Sequence, residues 1–101
     1  MNRKGLIKID DATATTVELD SSAHAAYVRF SSNKVARTDE VTSCDCIVTM
    51  DFDAGGKIVG VELVGVTDFR VESLLNKAGI RDVPAAVSQN ARYVPANLQV
   101  A

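Results

Sequence analysis

The sequence predicts an α+β domain, a small antiparallel β-meander of three to four strands with one helix packed on one face. Three observations carry that reading. Residues 47–66, IVTMDFDAGGKIVGVELVGV, place two apolar runs around Ala54-Gly55-Gly56-Lys57, the pattern of a strand, a tight turn and a strand. Upstream, residues 17–20 and 25–30 alternate apolar and polar side chains, as a half-buried strand must. After Val66 the period changes from two to the spacing of a helix.

Taken in order, Leu6-Ile7-Lys8-Ile9 reads as an edge strand or a loosely docked arm. Val17 and Leu19 point inward, and Asp20-Ser21-Ser22 signals a turn because these side chains bond to nearby backbone. Val28 and Phe30 face the core while Tyr27 and Arg29 point away. Ser31-Ser32-Asn33-Lys34 reads as a second turn, leading to a third strand or extended segment over residues 35–41 with Arg37, Asp39 and Val41 on one face.

The central hairpin can be argued from register, since a slip of one residue moves every apolar side chain to the wrong face. Placing Gly55-Gly56 at the tip pairs Phe52 with Val59, Met50 with Val61 and Val48 with Leu63. The other face then pairs Asp51 with Gly60 and Thr49 with Glu62. Two glycines would also supply the positive φ angles of a type I′ turn.

Thr67 or Asp68 is the expected N-cap of a helix over residues 68–78, with Leu74, Leu75 and Ala78 covering the sheet. Gly79 suits the left-handed position beyond its end. Residues 85–91 are a weak helix pattern, and Arg92-Tyr93-Val94 a short extended piece, in a stretch interrupted by Pro84 and Pro95. The predicted organisation is an N-terminal arm or edge strand (1–16), a sheet-plus-helix domain (17–79) and a C-terminal extension (80–101).

Composition narrows the function. With 101 residues, 47% of them hydrophobic, the chain should fold as one small domain with an aliphatic core. Its net charge of −2 argues against nucleic-acid binding, which relies on surplus Lys and Arg. No apolar run approaches the roughly 20 residues needed to span a bilayer, and no signal-peptide pattern opens the chain, so the expected compartment is the cytosol.

No chemistry-bearing motif stands out. Cys44 and Cys46 form C-x-C, but structural zinc needs four ligands and His24 is the single histidine, so no metal or cofactor is expected. His24 with Ser21, Ser22 and an Asp could be cast as a small hydrolase, yet no nucleophile-elbow motif accompanies them. Asp45, Asp51 and Asp53 lack the remaining ligands of a calcium loop.

Three ordered segments resemble a known family. They are Asp20-Ser21-Ser22-Ala23-His24-Ala25-Ala26-Tyr27-Val28-Arg29-Phe30, then Val35-Ala36-Arg37-Thr38-Asp39-Glu40-Val41, then the hairpin from Ile47 to Leu63. Together they resemble the bacterial and phage family catalogued as domain of unknown function 2283, with its D-x-x-A-D-A-x-Y-I-R-L, V-x-x-T-x-E-V and V-D-Y-D-x-x-G-x-x-V-G-I-E-I-L segments. The resemblance runs from Val17 to Gly65. His24 departs from the family's usual Asp, Ala26 from an apolar residue, and Gly55-Gly56 from Asp-Gly. The resemblance implies a small antiparallel sheet with a helix and implies no activity. Its genomic context suggests an antitoxin-like or phage-encoded inhibitor of a partner protein as one alternative.

The expectation is therefore a non-enzymatic protein-binding or self-assembling module. Its candidate surface is the face opposite the core, with Tyr27, Arg29, Asp51, Ile58 and Glu62 as the named residues. Tyr and Arg are favoured at protein interfaces, where they combine contact area with polar bonds. Ile47, Ile58 and Val64 beside them suggest a homodimer through this face. A small enzyme using His24 and carboxylates is the remaining alternative.

Overall fold

The computed structural model describes residues 15–42, 45–80 and 85–95. Within them the strands are β1 (Thr16–Asp20), β2 (Ala25–Arg29), β3 (Arg37–Thr42), β4 (Ile47–Phe52), β5 (Ile58–Val64) and β6 (Arg92–Pro95). The helices are α1 (Val71–Lys77) and the short α2 (Ala85–Asn90). The strands form one sheet in the order β3-β4-β5-β2-β1-β6. All neighbours are antiparallel except β1 and β6, which run parallel. The fold is α+β, but its sheet is mixed and six-stranded rather than a meander of three or four strands.

The physical reason lies in β5. Its sequence, IVGVELV, is the most apolar strand, and five of its seven residues are buried. Such a strand belongs inside a sheet, paired on both edges. It pairs with β4 on one side and β2 on the other. Residues 30–36 therefore do not form a local turn to the next strand. They cross the ends of β5 and β4 to reach the far edge. Seven residues reach about 23 Å, ample for three strand spacings of about 4.8 Å each. The crossing is moored by Phe30 and Ser31 N–H groups on the Val59 carbonyl (2.8 and 3.2 Å) and by Ala36 N–H on the Phe52 carbonyl (2.8 Å).

The β4–β5 hairpin keeps most of the predicted register. Val48–Leu63, Thr49–Glu62, Met50–Val61 and Asp51–Gly60 are paired. Its tip differs. Asp53 N–H donates to the Lys57 carbonyl (2.8 Å), which makes a three-residue loop of Ala54-Gly55-Gly56. Gly56 has φ 85°, but Gly55 is not at positive φ, so the turn is not the predicted type I′. The Asp53 side chain explains the choice: its Oδ1 accepts from both Gly55 and Lys57 N–H at 2.9 Å, drawing the backbone around one carboxylate. Phe52 now faces Ile58 instead of Val59, and a bulge at Asp51/Phe52 absorbs the extra residue. The bulge restores the register from Gly60 onward, so the strands keep their apolar and polar faces.

One face of the sheet carries the core. Val17, Val28, Val48, Met50, Val61 and Leu63 pack there against Val71, Leu74 and Leu75 of α1, with Val66, Ala78, Ile80 and Val87 closing around them. Helix α1 begins at Val71 rather than Asp68, and Arg70 at its N-cap position makes no side-chain cap bond. The Tyr93 hydroxyl supplies that acceptor instead, receiving the Val71 N–H at 2.9 Å. Asp68 lies just upstream and binds Arg70 and Ser73. The Arg70 side chain, then its backbone N–H, then the Ser73 hydroxyl hold the Asp68 carboxyl well below the usual range. At the other end Gly79 takes φ 79°, and Gly79 and Ile80 N–H groups bond back to Asn76 and Leu75 carbonyls at 3.0 Å, a Schellman closure.

Residues 85–95 are built into the same core. Val87 is fully buried, β6 extends the sheet beside β1, and Tyr93 caps α1. The possible arm at Leu6–Ile9 and the thiol of Cys44 lie outside the described residues.

Candidate functional site

Strand alternation puts a second set of side chains on the face away from α1 and α2, and register aligns them in rows. One row runs Thr38, Asp51, Gly60, Arg29, Thr16 from β3 to β1. The next runs Glu40, Thr49, Glu62, Tyr27, Glu18, and a third ends the face with Ile47, Val64, Ala25 and Asp20. Four predicted residues, Tyr27, Arg29, Asp51 and Glu62, therefore share one face. Ile58 does not. It is 2% exposed and belongs to the core, because the bulge turns the start of β5 inward. Ile47, 55% exposed, is the isoleucine that stands on the open face.

The centre of the face is a hydrogen-bonded chain across the sheet. Arg29 Nε donates to Glu18 Oε2 at 2.9 Å, and its guanidinium lies 4.8 Å from the centroid of the Tyr27 ring. Tyr27 leans diagonally over β5 and its hydroxyl donates to Asp51 Oδ2 at 2.7 Å. The Thr38 hydroxyl donates to Asp51 Oδ1 at 2.6 Å. Gly60 makes this possible. A Cβ there would run into the Tyr27 hydroxyl oxygen and its Cζ and Cε2 atoms. A glycine inside a strand often marks such a close approach. Glu18, Thr38 and Gly60 are the site residues that sequence reasoning missed. The signal for Glu18 was available, since the 20–25 turn sets it opposite Tyr27.

Electrostatics follow from this packing. Burial first, then the bond to Asp51 and its charge, push the Tyr27 phenol well above its ordinary value. The bond to Glu18 holds the Arg29 guanidinium firmly protonated. A phenol whose folded pKa is raised contributes stability that is intact below the ordinary tyrosine pKa and is lost as pH climbs past it. Tyrosinate absorbance should therefore show one tyrosine resisting ionisation until the chain unfolds in base. Tyr27→Phe should remove that delayed step; its persistence in the variant would show that the protected phenol is elsewhere.

Beside this chain, Glu18, Asp20, Ala25, Ala26, Tyr27, Arg29 and Glu62 line an open depression of about 290 Å³. Glu62 is exposed, and its contact from the Thr49 hydroxyl is long at 3.4 Å. His24 does not join the depression. It sits exposed at φ 52° after the 3-10 turn Ser21–Ala23, a left-handed position that His, Asn and Asp tolerate better than most. Its carbonyl accepts from Gly65 and Val66 N–H at 2.8 and 2.9 Å, so its backbone ties the β1–β2 hairpin to the end of β5. Among the described residues no group of three His, Cys, Asp or Glu side chains is placed to hold a metal ion. None of their helices is long and apolar enough to cross a membrane.

Comparison with known proteins agrees with the segments that build this face. No curated protein and no solved structure matches the chain. The family described as protein of unknown function (DUF2283) matches residues 16–66, which run from the first residue of β1 to just past β5 and supply every side chain of the hydrogen-bonded chain. That match takes in just over half of the 101 residues, and the protein belongs to the DUF2283 family.

Proposed function

We propose that the chain is a non-enzymatic protein-binding module whose open sheet face is the contact surface. The observation that carries this is the one-sided construction. The helices cover one face, while the opposite face holds Tyr27 and Arg29 in fixed, half-buried positions beside an open depression. An aromatic ring and a guanidinium already immobilised by their neighbours lose little entropy on contact, which favours binding. The same bonds disfavour catalysis. The Tyr27 proton is committed to Asp51, Asp51 also accepts from Thr38, and Glu18 is paired with Arg29. A general acid or base needs a pKa near the working pH, and the Tyr27 phenol is driven away from it.

The depression also has a charge preference. Glu18, Asp20 and Glu62 outnumber Arg29 in its lining, so a partner segment bearing Lys or Arg is the better electrostatic match. Glu62→Lys tests this without disturbing the fold, since Glu62 is exposed and only weakly bonded. With the chain expressed in its own host, a partner that copurifies with the unaltered protein should be lost from Glu62→Lys, with circular dichroism unchanged. Equal recovery of the same partner by both forms would remove the open face from the contact.

A further inference from the structure

We propose that β3 is a self-complementary edge through which two copies of the chain pair, antiparallel and across a two-fold axis centred on Thr38. This goes beyond the proposed use of the open face and does not depend on it. β3 is an outer strand of the sheet, and residues 32–40 are all exposed. An outer strand presents a row of backbone N–H and C=O groups that another strand can complete. The other edge is a poorer template: β6 has four residues and ends in Pro95, which has no N–H to offer.

The choice of partner follows from the order of residues along Val35-Ala36-Arg37-Thr38-Asp39-Glu40-Val41. In a regular antiparallel pair, residues directly opposite each other share a face, so a two-fold register must be centred on a residue. Centring on Arg37 sets it against the partner's Arg37. Centring on Asp39 or Glu40 likewise sets two carboxylates against each other. Like charges directly opposite are destabilising. Centring on Thr38 places Arg37 opposite the partner's Asp39 on both sides of the axis and brings Val35, just before β3, toward the partner's Val41. Among the described residues Val35 is one of three exposed large hydrophobics, at 41%, and Val41 is half-buried at the rim of the core. Arg37 and Asp39 already lie side by side within one strand at 3.2 Å, so both charges stand on the face where the cross-pairs would form. Arg37 is further held by stacking 4.4 Å over the Phe52 ring.

A two-fold axis perpendicular to the sheet leaves the helices of both copies on the same side. The two six-stranded sheets become continuous, and both open faces stay exposed. An open face built from two copies would present each depression twice.

The test is mass by light scattering behind size exclusion at micromolar concentration, on the full chain. The expected value is twice 10.8 kDa. Arg37→Asp turns both cross-pairs into carboxylate pairs and should give a monomer with unchanged circular dichroism. Adding Asp39→Arg restores opposite charges in the same register and should restore the dimer. Glu62→Lys lies away from β3 and should stay dimeric, which separates this interface from the open face. A monomeric unaltered chain, a dimer that survives Arg37→Asp, or a double variant that stays monomeric would each overturn the proposal.

Discussion

Ile58→Glu is expected to unfold the domain. Ile58 is 2% exposed and packs in the cluster that joins the sheet to α1. The substitution removes a buried aliphatic side chain and places a carboxylate where no partner waits. Burying an unpaired charge together with losing core packing belongs to the mechanisms that cost more than about 4 kcal/mol. That is a large part of the roughly 5–15 kcal/mol that holds a small domain together. Ile47→Glu is the control, since Ile47 stands on the open face at 55% exposure. It should shift stability by no more than about 0.5 kcal/mol. Urea unfolding of the two variants reads the contrast directly. Equal stabilities would mean that β5 keeps the unbulged register and that Ile58 faces outward.

Gly60→Ala is the second large effect. Its methyl group would occupy the space taken by the Tyr27 phenol, so the ring must swing away. Overpacking of this kind costs about 1–3 kcal/mol. Losing the bond to the Asp51 carboxylate adds about 1.5 kcal/mol or more. The clash should vanish when the ring is absent. In a Tyr27→Ala background, Gly60→Ala should be neutral or favourable by about 0.5 kcal/mol, because alanine is a better strand residue than glycine. A double-mutant cycle by chemical denaturation should give a coupling of about 2.5 kcal/mol or more, the difference between the two backgrounds. Additive effects would remove the close approach from the account of the site.

The contrast between Ile58 and Gly60 shows which parts of the molecule are legible in the sequence. Alternation identified β1, β2, β4 and β5, because each must keep one face dry. It also brings Tyr27, Arg29, Asp51 and Glu62 to one face. Ile58 escaped because its place depends on a turn of two or three residues. The Asp53 carboxylate decides that by bonding two backbone amides at once. Alternation carries no information about such a local bond. The strand order escaped for a different reason. Residues 30–36 are long enough either to turn or to cross, and only the need of β5 for two neighbours selects the crossing.

The C-terminal stretch shows a third limit. Between Pro84 and Pro95 it has little apolar periodicity, so it reads as an appendage. Two contacts far apart in sequence tie it down: the parallel pairing of β6 with β1, and the Tyr93 hydroxyl on the Val71 amide. The expected N-cap at Asp68 failed for the same reason. Tyr93, 22 residues beyond Val71, took the role, while Asp68 bonded its neighbours.

The open sheet face as a partner's docking surface is the central claim, and site-specific photo-crosslinking in the producing cell tests it most directly. A crosslinking residue at Glu62 looks out from the depression, and one at Asn76 looks out from the exposed side of α1. The account expects a discrete crosslinked partner from position 62, suppressed by Arg29→Ala, and none from position 76. A partner captured from position 76 and not from position 62 would place the contact on the helical side and contradict it.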